Sequence, residues 1–118
     1  MTAAEWVACD SADADDARVL LCAGSPVGVL HAGGVGDEGL LVELVVCRVR
    51  WANAPKALGA WCVHGATAGA PLEACSLWSS VGSIVGSIGH ASCAVANACL
   101  DAHARARRAH GITACSVQ

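Results

Sequence analysis

The stretch ARVLLCAGSPVGVLH, residues 17–31, decides how the rest of the chain is read. Ala17 to Ala23 and Val27 to His31 are two apolar runs rich in Val and Leu, separated by Gly24-Ser25-Pro26. Such a pair has the chemistry of a β-hairpin, because Gly and Pro supply turn dihedrals that other residues adopt at a cost. These residues therefore predict two antiparallel strands, and the flanking segments fall into place around them.

Downstream, LLVELVVCRVRW (Leu40 to Trp51) sets Cys47, Val49 and Trp51 against Arg48 and Arg50, an alternation that predicts a third strand. Ala52 to Pro55 reads as a turn, Leu58 to His64 as a fourth strand, and Gly65 to Pro71 as a small-residue linker. Upstream, Thr2 is suited to cap a short helix over Ala3 to Cys9, ended by the acidic patch Asp10 to Asp16. From Leu72 to Arg108 there is no proline, and apolar residues recur at helical spacing after Pro71, a residue suited to a helix start. Gly82, Gly86 and Gly89 each weaken such a helix by about 1 kcal/mol relative to Ala, which favours a break near Gly89 and His90. The expected fold is a single α+β domain over residues 1–118, strand-rich at 17–64, linked by 65–71 and helical at 72–109. A small antiparallel sheet of three to four strands would carry the long C-terminal helix on one face.

Composition limits the function classes. A chain of 118 residues with 55% hydrophobic and 14% charged residues is a packed domain and not a disordered tail. With no Phe, no Tyr and one Met, its core must be filled by Ala, Val, Leu, Ile and Cys, which bury less area each and predict modest stability. A net charge of −3 with one lysine, Lys56, gives no basic field for a phosphate backbone, so nucleic acid is excluded as a partner. The cluster Arg105, Arg107 and Arg108 reads as a solvated helix end, where cations suit the macrodipole. Eight cysteines would suggest disulfides, but the stretch MTAAEWVACDSADADD lacks the basic and apolar regions of a secretory signal. The expectation is a cytoplasmic chain with free, mostly buried thiols. The same bias toward Ala, Gly, Val, Cys and Trp is what an unintended frame of a GC-rich gene would yield, in which case the chain has no function.

Three constellations carry chemistry. Gly34, Gly36 and Gly39 match the G-x-G-x-x-G of a dinucleotide turn as GVGDEG, but Asp37 and Glu38 place negative charge where phosphates must sit. No carboxylate follows near position 58 to meet a ribose, so the loop reads as a β-connection and no organic cofactor is expected. Cys62 and His64 would share a strand face and His90 and Cys93 a helix face, a set of four zinc-type ligands if the helix crosses the sheet. Cys99 and His103 form a second helical pair. Buried thiols and exposed imidazoles explain the same residues without a metal. No nucleophile signature surrounds Cys62, so the chain is expected not to be an enzyme.

The third is the repeat VGSI at 81–84 and 85–88, which on a helix aligns Gly82 with Gly86 and Ile84 with Ile88. A small-residue groove beside an aliphatic ridge favours close helix packing. The leading functional expectation is thus a non-enzymatic domain acting by protein association, foremost as a homo-oligomer, through Gly82, Ile84, Gly86 and Ile88. Because Ala74 to Leu100 holds no charged residue, a single membrane span near 77–100, anchored by the arginines after it, is the alternative.

Overall fold

The computed structural model describes residues 4–118. In it Asp13 settles the first element: its backbone is extended, and its side chain accepts hydrogen bonds from the Asp15 and Asp16 amides at 2.9 Å. That is an N-cap, with two more acids in the first turn where the helix dipole favours them. The acidic patch therefore starts a helix, α1 (Ala14–Gly24), which runs through the expected first strand and stops at Ser25 in the left-handed region. Only Gly28–His31, here β1, is strand, so no hairpin forms. Residues 4–10 are irregular, and the Thr2 cap and Ala3 of the expected N-terminal helix lie outside the described residues.

The next two expected strands are also helical. Leu41–Glu43 is a 3₁₀ turn and Val46–Asn53 is α2. A π-helical turn at Ala54–Leu58 then leads into α3 (Gly59–Thr67). Ala60, Val63 and Thr67 are buried at helical spacing, and the Thr67 hydroxyl donates to the Val63 carbonyl at 2.7 Å. The expected long helix from Leu72 divides into β2 (Ala74–Trp78), the single turn α4 (Gly82–Val85), α5 (Ala91–Ala109) and β3 (Cys115–Val117). In β2 Cys75 and Leu77 alternate inward between exposed ends, the period of a strand. α5 begins directly after Gly89 and His90, the place expected for a break, although loop and one helical turn precede it.

The sheet corrects the fold class. Its order is β1-β2-β3, and both pairs are parallel, with Val29 beside Cys75, His31 beside Leu77 and Leu77 beside Ser116. Parallel neighbours need crossovers, supplied by α2 and α3 after β1 and by α4 and α5 after β2. The result is a Rossmann-like parallel α/β layer in place of an antiparallel α+β sheet. The core lies between β2 and the helices and joins Cys75 and Leu77 to Ala60 of α3 and to Leu100 and Ala104 of α5. The opposite sheet face is open: Leu30 is 62% exposed and Trp78 50%.

The repeat forms no common face. α4 ends at Val85, Gly86 has φ +70, and Ile88 lies beyond the helix at 93% exposure. Among the described residues no helix is long and apolar enough to cross a membrane, and Leu77 and Trp78 belong to a strand, so no span forms near 77–100.

Candidate active site

In open parallel sheets, ligands bind outside the carboxyl ends of the strands. Here the loops that leave β1 and β2 meet at that edge, where the Gly39 amide donates to the Gly89 carbonyl at 2.9 Å. Asp37, in the first loop, is 7% exposed and accepts from Arg48 Nε and Nη2 of α2 at 3.1 and 2.6 Å and from Ser92 Oγ of α5 at 2.7 Å. The Ser92 bond first, and Arg48 second, hold its carboxyl below the usual carboxylate range. Arg48 Nη2 also donates to the Glu38 carbonyl at 2.7 Å. A side chain at Gly39 would meet that guanidinium at 2.8 Å. Gly39 therefore makes room for an internal ion pair, and Asp37 fills the turn where a phosphate would sit.

Behind this clamp, four side chains approach the same edge. Lys56 leaves the π-helical turn, a distortion common at functional sites, and its Nζ donates to the Trp78 carbonyl at 3.3 Å. Its stem passes Gly34, where a Cβ would stand 3.0 Å from Lys56 Cε. Ser80 Oγ, just past β2, accepts from the Gly82 amide at 3.1 Å, which leaves its own proton free to donate. Asn97 Nδ2 donates to the Cys93 carbonyl at 2.9 Å, and the Asn97 carbonyl accepts from Ser79 Oγ at 3.2 Å. Asn97 Oδ1 is buried without a partner among the described residues. Cys93 Sγ lies 3.7 Å from the Asp37 carbonyl. Ser80, Ser87, His90, Cys93 and Asn97 line a cavity of about 220 Å³. At its rim His90 Nδ1 donates to the Ile88 carbonyl at 2.9 Å, with Nε2 3.6 Å from Glu38.

Of the residues singled out for zinc, His90 and Cys93 share this cavity. Cys62 and His64 sit on α3, not on a strand: Cys62 is buried with its thiol 3.6 Å from the Ala12 carbonyl, and His64 bonds Arg107. Among the described residues no three His, Cys, Asp or Glu side chains are gathered for a metal ion. Arg107, expected in solvent, is buried. Lys56, Ser80 and Asn97 were missed; the one signal pointing to them was that Lys56 is the sole lysine of the chain.

A parallel α/β layer with a polar cavity at its strand ends defines a Rossmann-like fold. The chain matches the KR domain family over residues 2–118, and it belongs to that family. It is similar to polyketide synthase GfsA of Streptomyces halstedii, 43% identical over 116 residues, covering 94% of this chain and 2% of that protein. It is similar also to mycoketide-CoA synthase of Mycobacterium tuberculosis, 40% identical over 117 residues, covering 94% of this chain and 3% of that one. Among solved structures, the first ketoreductase of the tylosin PKS superposes with a TM-score of 0.89 at 37% identity, over 92% of this chain and 24% of that chain. The ketoreductase from the first module of phoslactomycin biosynthesis in Streptomyces sp. HK803 does so at 0.86 and 36%, over 93% and 26%. The chain thus spans a few per cent of the synthases and about a quarter of the solved ketoreductases. Membership overturns three expectations: a non-enzymatic association domain, a chain that is not an enzyme, and an unintended reading frame.

Proposed function

We propose that residues 4–118 form the carbonyl-binding part of a ketoreductase domain, which reduces a ketone on a polyketide chain with NADPH. The observation that carries this is the cavity at the carboxyl ends of β1 and β2, where Ser80, Cys93 and Asn97 gather beside Lys56. The donor set fits the ribose and carboxamide end of the cofactor, since Lys56 has ammonium hydrogens to spare beyond its bond to Trp78 and Asn97 Oδ1 awaits a donor. It does not fit the pyrophosphate, because Asp37 and Glu38 occupy the glycine turn. A cofactor held here by Lys56 and Asn97 would supply the hydride that the carbonyl carbon takes up.

The chain's own groups handle the oxygen. Ser80, oriented by the Gly82 amide, donates its hydrogen bond to the carbonyl oxygen and stabilises the charge that develops there. A proton must then reach that oxygen, and the side chains able to give one are His, Asp, Glu, Lys, Tyr and Cys. The chain has no Tyr, Asp37 is tied to Arg48 and Ser92, Lys56 points its ammonium at the Trp78 carbonyl, and at the rim His90 turns Nδ1 to the Ile88 carbonyl and Nε2 toward Glu38. Cys93 holds an S–H within the cavity and is assigned as the proton donor. Asn97, one turn on, fixes the backbone of Cys93. The Asp37 clamp ties the first loop to α2 and α5, and the Gly39–Gly89 bond ties it to the second loop.

Titrating the isotopically labelled chain with a small β-keto ester tests the binding half of this reading. The amide signals of Ser80, Cys93 and Asn97 are expected to move saturably, and Ser80→Ala to abolish the response. Saturable shifts confined to another surface would contradict it.

A further inference from the structure

At the far end of α5, about 21 Å along the helix from Cys93, Trp61 and His64 of α3 face His103, Arg107 and His110 across a second cavity of about 270 Å³. The rings pack on one another: the centroids of His64 and His103 are 5.3 Å apart and nearly perpendicular, with Trp61 5.7 and 5.9 Å from them. Arg107 is 3% exposed. Its Nη1 donates to His64 Nδ1 at 2.9 Å, which requires a neutral His64, and its Nε to the Thr113 carbonyl at 3.4 Å. Arg107 Nη2 and His103 Nε2 are buried with no partner among the described residues.

No acid answers this charge. The ion pairs among the described residues lie elsewhere. Burial first, then neighbouring cations and imidazoles, lowers the pKa of both His64 and His103. A guanidinium taken from water without a counter-ion is strongly disfavoured, and such groups are paired or hold a ligand. Arg107 Nη2, and His103 Nε2 in the tautomer that carries its proton there, suit two oxygens, whereas Trp61, Ala106 and Ile112 give the cavity an apolar wall. Phosphate, with more oxygens to satisfy, finds too few donors here.

We propose that this cavity binds a small organic carboxylate, with its oxygens on Arg107 Nη2 and His103 Nε2 and its apolar body against Trp61, Ala106 and Ile112. The site is separate from the reductase cavity and does not rest on that reading. Its probe is sodium benzoate, titrated into the full labelled chain while the tryptophan indole N–H signals are followed. The Trp61 signal should move to saturation while those of Trp51 and Trp78 stay. Benzamide, of the same shape without the charge, should leave it in place. His103→Phe keeps the ring packing and removes one donor, which should weaken benzoate by about tenfold or more; Arg107→Gln should abolish binding. An equal response to benzamide, unchanged affinity in His103→Phe, or phosphate competing as well as benzoate would each overturn the proposal.

Discussion

The two faces of the sheet are built from the same kind of residue and meet different fates. On one, Val29, Cys75 and Leu77 pack against Ala60, Leu100 and Ala104; on the other, Leu30, Trp78 and Val117 meet solvent. Parallel strands are apolar on both sides because both sides are covered in a finished domain. Here only one face is covered, and the chain matches 24% and 26% of the solved ketoreductase chains.

Substitutions on the two faces should separate accordingly. Leu100→Ala, at a fully buried position between α5 and the sheet, should cost about 2–5 kcal/mol in a urea titration. A cost no greater than that of a change on the open face would break the comparison. Arg48→Ala should cost less overall but act locally. It leaves Asp37 buried with Ser92 alone, so hydrogen exchange at the Gly39 amide, bonded to Gly89, should speed up by far more than at Leu77. Gly86→Ala, at φ +70 and ψ 172, a region essentially confined to glycine, should cost about 1–3 kcal/mol and leave exchange in the core unchanged. Leu30→Lys, on the open face, should stay within about 0.5 kcal/mol in this chain.

Acid should weaken the covered side in two stages. His64 and His103 have pKa values below the ordinary 6.5, so the unfolded chain takes protons first and stability falls as pH drops through that value. Asp37 sits below its ordinary 3.8, held there by Ser92 and Arg48, so a second loss begins as pH drops through that region. A urea midpoint flat between pH 8 and 5 would contradict the first stage. In His64→Phe/His103→Phe that stage should shrink to the part contributed by His31, which burial also holds below 6.5, and the second should remain.

What the sequence hid was mostly long-range. Asp13 with Asp16 three residues on is a readable cap signal, and taking the patch as a terminator turned α1 into a strand. Parallel pairing was not readable: β1 and β2 are 4 and 5 residues long and are joined by helices, so no local period reveals their register. Within Leu40 to Trp51, Arg48 turns toward Asp37, a contact formed only after the chain folds back. Gly34 and Gly39 were noticed for the right geometry and the wrong tenant: they make room for Lys56 and Arg48. Cys93 was named as a metal ligand and sits instead among Ser80 and Asn97, which come together only through the crossover from β2 to α5. Gly89 did mark the start of α5, because a glycine's backbone effect is local.

The central claim is that the cavity at the strand ends delivers a proton from Cys93 to a ketone. The most direct test replaces the matching segment of the first tylosin ketoreductase with residues 4–118 and supplies NADPH deuterated at the transferred position together with a small β-keto ester. The alcohol formed should carry one deuterium on the former carbonyl carbon, with Cys93→Ala lowering turnover by about a hundredfold while KM changes little. A chimera that binds NADPH yet transfers no deuterium, or one whose rate is indifferent to Cys93→Ala, would contradict it.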